Sequence, residues 1–416
     1  MNHSTKGPDG KGTKHQERQL LTLTCFGHFM SHYNMLVFPA LVLPLTHRLN
    51  LGLAQVLELS FWQYLAFGLT ALPWGLASDR WGAKRFMALF FLGAALSGLA
   101  AAWLIDTPSG LSCALAGLGV FSGIYHPAGL GLISKGIKRL TMGLAYNGMF
   151  GNLGLAVAPL LTGLINWVWG PRAAYLAVAG LNLLGLVLIS FYNLEEPEKT
   201  AGSGEKSGRG RAAPFLILLI AMLLGGLAYR GATVIMPTYF ELKSQGIYHL
   251  LAGLWPGKLS GNLVATALTS FIFLFGMIGQ FTGGRVGERF EARYSYLAFH
   301  LLALPAVFLM AWAHDYLLVV LGLTYLFFLL GMQPIENTLV AKLTPPRFHH
   351  SAYGAKFVLT FGVGALAVKL VGHIEKFWKI EAVFPALGLV SLALVGSILL
   401  LISRTSAVRP SSRAPN

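Results

Sequence analysis

A few polar side chains interrupt stretches that are otherwise apolar, and their types define the chemistry open to this chain. His28, His32 and Asn34 share one apolar run; Tyr125 and His126 lie in another, Tyr229 and Arg230 in a third, and Gln333, Glu336 and Asn337 in a fourth. Arg230 stays ionised at any relevant pH and offers a planar fork suited to a carboxylate or phosphate. Glu336 is the only acidic residue deep in any apolar run. It can hold Arg230 in a permanent ion pair, or act as the group that takes up and releases a proton as its surroundings change. His32 and His126 are rivals for the proton, because imidazole titrates near neutral pH. His28 and His32, four residues apart, can also present two rings to one transition metal, with His126 and Glu336 completing the set. Chemistry of other kinds lacks its residues: the sequence has no Gly-x-Ser-x-Gly elbow, no HExxH, no pair of buried acids and no nucleotide-binding Gly-x4-Gly-Lys-[Ser/Thr] loop. No enzyme and no bound cofactor are expected, and energy must come from a gradient.

The elements that must position these groups are membrane spans. Of 416 residues 55% are hydrophobic and 11% charged, with a mean hydropathy of +0.62, far from the balance of a soluble domain. A helix needs roughly 20 apolar residues to cross the hydrocarbon core. Runs of about that length fall near 20–46, 54–77, 84–104, 109–134, 139–168 and 171–193 (spans 1–6), and near 214–241, 262–283, 293–313, 315–341, 350–374 and 379–403 (spans 7–12). Between the sets, the charged Gly/Ser-containing stretch 194–213 reads as a flexible linker. Residues 1–19 and 404–416 are polar tails, and the first apolar run is too long for a signal-peptide core, so Met1 is expected to begin the mature chain.

The net charge of +15 does not point to nucleic acid, because the basic residues sit in the short gaps between apolar runs. With the N-terminus inside, 22 of the 31 Lys and Arg fall on the inner side and 6 on the outer. Three remain within spans: Arg230, Lys356 and Lys369. That bias places both termini in the cytoplasm, with the plasma (inner) membrane as the expected location. Cys25 and Cys113 both lie in apolar runs and offer neither a disulfide framework nor a metal knuckle.

The two sets of six repeat each other. The run from Gly75 through Asp79, Arg80, Trp81, Gly82, Lys84 and Arg85 recurs as Gly284 through Glu288, Arg289, Phe290, Glu291 and Arg293. His126-Pro127 and Gln333-Pro334 likewise match, as do Pro39 and Pro237. Duplication at half the chain length is a transporter signature.

Gly75-x3-Asp79-Arg80-x-Gly82-x-Lys84-Arg85 resembles the signature of the major facilitator superfamily, with Ala83 where a basic residue is common. The resemblance covers the chain from about Gln19 to Ser403. It implies an all-α membrane protein of twelve helices in two pseudo-symmetric six-helix bundles, 20–193 and 214–403. Gly27-His28-Phe29, Phe38-Pro39-Ala40-Leu41 and Tyr125-His126-Pro127 are similar to the fosmidomycin-resistance type of exporter, in which an acidic residue often stands at the place of His32.

In the resembling fold, spans 1, 4, 7 and 10 line a central cavity, and the unusual polar groups fall on those four. The resemblance therefore implies a substrate site of His32, Tyr125, His126, Tyr229, Arg230, Gln333 and Asn337, with Glu336, His32 or His126 carrying the proton. Asp79, Arg80, Lys84 and Arg85, with Glu288 and Arg289 in the second half, are expected to act as a gate. Lys356 either adds positive field to the cavity or snorkels; Lys369 and Glu58 are expected to snorkel, and His300 to pack. The row Ala145, Gly154, Ala158-Pro159 and Gly163 loosely resembles the superfamily's antiporter motif and favours export slightly.

The expected protein is a secondary active transporter, coupled to protons, moving a small anionic organic solute by alternating access as a monomer among membrane lipids. The alternative is a transition-metal transporter using His28, His32, His126 and Glu336.

Overall fold

The computed structural model describes residues 9–192, 212–255, 257–344 and 354–406. Most of the linker 194–213 and parts of both tails (1–8 and 407–416) lie outside the described residues. Among the described residues there is no strand. Ten helices are long and apolar enough to cross a membrane, or eleven when the two bent segments of span 1 are joined.

Span 1 runs as Asp9–Ala40 and, after a 49° bend, Val42–Leu49. Pro39 explains the bend, since its ring and missing N–H disturb the helical ladder. Span 2 differs from a single helix: it is three short ones, Leu53–Glu58, Phe61–Leu69 and Ala71–Trp81, none long enough to span alone. Hydroxyls mark both breaks. Ser60 Oγ donates to the Leu57 carbonyl at 2.8 Å and Thr70 Oγ1 to that of Ala66 at 2.8 Å, so side chains compete with the backbone for its own acceptors.

The packing inside each half repeats. Span 2 lies on span 4 as span 8 lies on span 10, and span 3 on span 6 as span 9 on span 12. Span 5 against span 8 and span 2 against span 11 join the halves, again as a symmetric pair. The second contact is backbone on backbone: a Cβ on Gly68 would stand 2.0 Å from the Gly362 nitrogen, so nothing larger than glycine fits at position 68. Span 11 is irregular at that level, with a π-helical turn at Val358–Gly362 and a 3₁₀ turn at Val363–Ala365 before Leu366–Trp378.

At the end remote from the termini the halves are tied by Asn262 Nδ2 to the Ala40 carbonyl (2.9 Å), Trp167 Nε1 to the Lys258 carbonyl (3.0 Å) and Lys369 to Glu58 (3.2 Å). Lys369 and Glu58 are both half-exposed and pair across the halves. The segment Gln245–Leu254 forms a helix with Ile247 buried and Leu250, Leu254 and Trp255 exposed, an apolar face suited to the membrane interface.

Candidate functional site

The histidines of span 1 and span 4 form one cluster, their nearest ring nitrogens all within 4.8 Å of one another. His28 Nδ1 lies 2.8 Å from the Asn147 carbonyl, which can only accept, so this nitrogen carries the hydrogen. In neutral His28, Nε2 is then a bare acceptor. His32 Nε2, 3.1 Å away, must be the donor. That order fixes both tautomers and leaves His32 Nδ1 as the basic nitrogen. Tyr125 supports the cluster: its hydroxyl donates to the Thr24 carbonyl at 2.7 Å and accepts from Asn147 Nδ2 at 2.7 Å, while its ring stacks on His28 at 5.0 Å. His126 is buried, and its Nε2 has no hydrogen-bond partner among the described residues. Asn34 belongs to a packing knot, donating to Ser122 Oγ and accepting from Asn182 Nδ2.

Arg230 lies on span 7. It is 3% exposed, and among the described residues no carboxylate lies within ion-pair reach. Its guanidinium carbon sits 3.9 Å over the ring of Tyr64 and 5.9 Å from that of Tyr229. Nε has no partner. Tyr64 is held for this by its own hydroxyl, which donates to the Met35 carbonyl at 2.9 Å.

Glu336 does not pair with Arg230, nor does it join the histidines as a fourth metal ligand. Lys356 reaches it from span 11 at 2.7 Å, and Tyr296 donates to its other oxygen at 2.7 Å. Lys356 also donates to Asn337 Oδ1 at 2.6 Å. The lysine therefore neither snorkels nor stands free. His300 packs edge-on against Tyr296 at 4.7 Å, as expected of a packing residue. Gln333 is drawn into a chain that crosses between halves: Gln280 Nε2 donates to Gln333 Oε1 at 2.6 Å, and Asn152 donates to Gln280 Oε1.

The duplicated loops carry a matching tie. Lys84 Nζ donates to the Tyr192 carbonyl at 3.0 Å, joining the start of span 3 to the end of span 6. Its counterpart Arg293 donates to Thr405, joining span 9 to span 12. Arg80 lies over Trp81 and Arg289 over Phe290, at 5.3 and 5.7 Å. Asp79, Arg85 and Glu288 are exposed. On the opposite rim Asp106 accepts from Arg48 at 2.6 and 3.0 Å and from Arg172 at 2.9 Å. The Arg48 hydrogen bonds, with the charges of both arginines, hold its carboxyl below the usual carboxylate range.

Sequence reasoning missed Asn147, Tyr64, Asn152, Gln280 and Tyr296. Asn147, Asn152 and Gln280 are amides inside apolar runs and carried the same signal as Gln333. The two tyrosines have no such mark, since a tyrosine in an apolar run is ordinary.

Two six-helix halves in pseudo-symmetric packing, with ionisable groups buried between them, define a membrane transporter and not an enzyme. The chain belongs to the Major Facilitator Superfamily, whose model matches residues 23–367. A relative in Bacillus subtilis (strain 168), the uncharacterized MFS-type transporter YfnC, is 25% identical over 272 residues. That match covers 62% of this chain, which spans 63% of the relative's length. Among solved structures, the nucleoside transporter NupG matches with a TM-score of 0.74 at 14% identity, over 93% of this chain and 99% of the other. A peptide transporter POT in complex with sulfate matches at 0.73 and 15%, over 94% of each chain. A bacterial homologue of the human lysosomal transporter Spinster, inward-facing and unoccupied, matches at 0.69 and 14%, over 96% of each. At these identities the likeness is one of fold.

Proposed function

We propose that the protein is a proton-coupled secondary transporter of small organic anions, working as a monomer in the inner membrane with both termini in the cytoplasm. One observation carries the reading: Arg230 is a buried guanidinium with no carboxylate among the described residues to balance it. An uncompensated charge at membrane depth is costly, and residues that keep one usually serve a ligand or ion path. A carboxylate entering beside Arg230 would gain its fork.

The proton has a natural place beside the anion. His32 Nδ1 is the one basic nitrogen of the neutral His28–His32 pair, so a proton taken there adds positive charge where the anion sits. His126 is the second acceptor. Glu336 serves less directly, because as an anion it already has two donors; protonating it would free Lys356. Gln333, Tyr229 and Asn337 would shape the site around the solute. Asp79, Arg80, Lys84, Arg85, Glu288 and Arg289 would gate it by holding helix ends together.

Export is the direction favoured by the span-5 row. Gly154 of that row lies against the Phe29 backbone and Gly163 against Thr266, so the row also serves close packing. Metal transport is the poorer reading: the two span-1 rings spend nitrogens on each other and on Asn147, and Arg230 is a poor neighbour for a dication. The test is uptake of radiolabelled carboxylates into proteoliposomes under an imposed pH gradient. Transport should collapse in Arg230→Gln, and full transport in that variant would remove the assignment.

A further inference from the structure

A wall of rings runs from His126 to Arg230. Phe357 stacks on His126 at 4.8 Å and 29°, Phe361 lies near-parallel to it at 6.2 Å and 9°, and Phe67 meets it edge-on at 5.8 Å. Phe361 also meets Phe67 at 5.6 Å and Tyr229 at 6.4 Å, both edge-on. Tyr229 and Tyr64 carry the wall on to the guanidinium. The rings come from spans 2, 4, 7 and 11, so both halves contribute.

A phosphate ion or a short aliphatic acid would need the guanidinium alone and would gain nothing specific from these faces. A flat unsaturated body would, because rings prefer offset-stacked and edge-to-face neighbours over saturated ones. Phe361 is also placed to give way. It is half-buried, where Phe67 is buried, and it stands within the π-helical turn Val358–Gly362. Such turns are rare and frequent at functional sites. The hydroxyl of Thr360 beside it is buried without a partner.

Resting on the anion reading above, we propose that the substrate is a planar aromatic or conjugated carboxylate. Its carboxylate lies on Arg230. Phe361 gives way to admit the body, which then stacks against the Phe361 ring as well as that of His126, so Phe361 is the specificity-determining side chain.

The test is a thermal-stability titration of the detergent-purified full chain with benzoate, trans-cinnamate, cyclohexanecarboxylate, acetate and inorganic phosphate. Benzoate and cinnamate should bind about tenfold more tightly than cyclohexanecarboxylate, the ratio one good aromatic contact supplies. Phe361→Leu should bring that ratio close to one while cyclohexanecarboxylate still binds, which also shows that the variant is folded; Phe361→Tyr should keep the preference. A wild-type ratio of one or below, or phosphate binding as tightly as benzoate, overturns the proposal without any variant. Equal binding of all carboxylates, lost in Arg230→Gln, leaves the anion reading standing and removes this one. Failure of every carboxylate to stabilise the wild type removes both.

Discussion

Replacing Arg230 with methionine should stabilise the ligand-free protein while ending transport. The side chain is 3% exposed and, among the described residues, has no carboxylate in reach and no partner for Nε. Against that cost stands one close contact, the guanidinium 3.9 Å over Tyr64, worth ~2 kcal/mol when desolvated. The effective penalty for a buried ion is several kcal/mol, and methionine fills a similar volume without it. The difference leaves a net gain of ~1–3 kcal/mol for Arg230→Met. The assay is equilibrium or thermal unfolding of both proteins in the same detergent without added anions, beside transport in proteoliposomes. Adding a bound anion should reverse the order by stabilising only the wild type. A variant less stable than wild type by more than ~2 kcal/mol would refute the reasoning, since removing a truly uncompensated charge cannot cost that much.

The pair in the other half should behave oppositely. Lys356→Met strands Glu336 with Tyr296 alone and should cost ~3–5 kcal/mol, most of it recovered in the double variant Lys356→Met/Glu336→Gln; a double-mutant cycle read by unfolding checks this. Asp106 gives a pH dependence. Its folded carboxyl ionises below the ordinary range, so it stabilises fully above the ordinary value of about 4 and loses that contribution as pH falls through the lowered one. An acid unfolding series should show this limb in wild type and lack it in Asp106→Asn. Lys84→Met should loosen the start of span 3 from the end of span 6, seen as faster hydrogen exchange near Tyr192, with Arg293→Met doing the same near Thr405. Zn, Ni, Fe or Mn should leave the melting temperature unchanged, whereas stabilisation lost in His32→Ala would revive metal binding at the histidines.

The spans were legible because membrane crossing demands a length of apolar residues that little else in a sequence imitates. The tie at Lys84 and Arg293 was legible as a repeat, since duplicated loops keep their basic residue at one offset. Span 2 was legible as a crossing but not as three pieces. The breaks fall at Ser60 and Thr70, and apolar length carries no trace of them. The partner of Glu336 was equally invisible. In one dimension Arg230 and Glu336 are the two deep opposite charges, whereas Lys356 stands nearer the end of its span. Its four-carbon stem carries the ammonium back to span 10, and only the packing of span 11 decides that it does.

Span 11 is where the two charged centres meet. Lys356 holds Glu336 of span 10, and the next residue, Phe357, stacks on His126 of span 4. Consecutive helical residues point about 100° apart, so one turn of helix faces both its own half and the opposite one. The turn that follows is π-helical and passes Gly68 with backbone against backbone. A regular helix there would carry Phe361 at a different angle to His126, and a side chain at position 68 would hold span 11 away from span 2. The break in span 11 and the bareness of Gly68 therefore answer one requirement. They bring an element of the second half close enough to touch the histidines of the first while it keeps hold of its own acid.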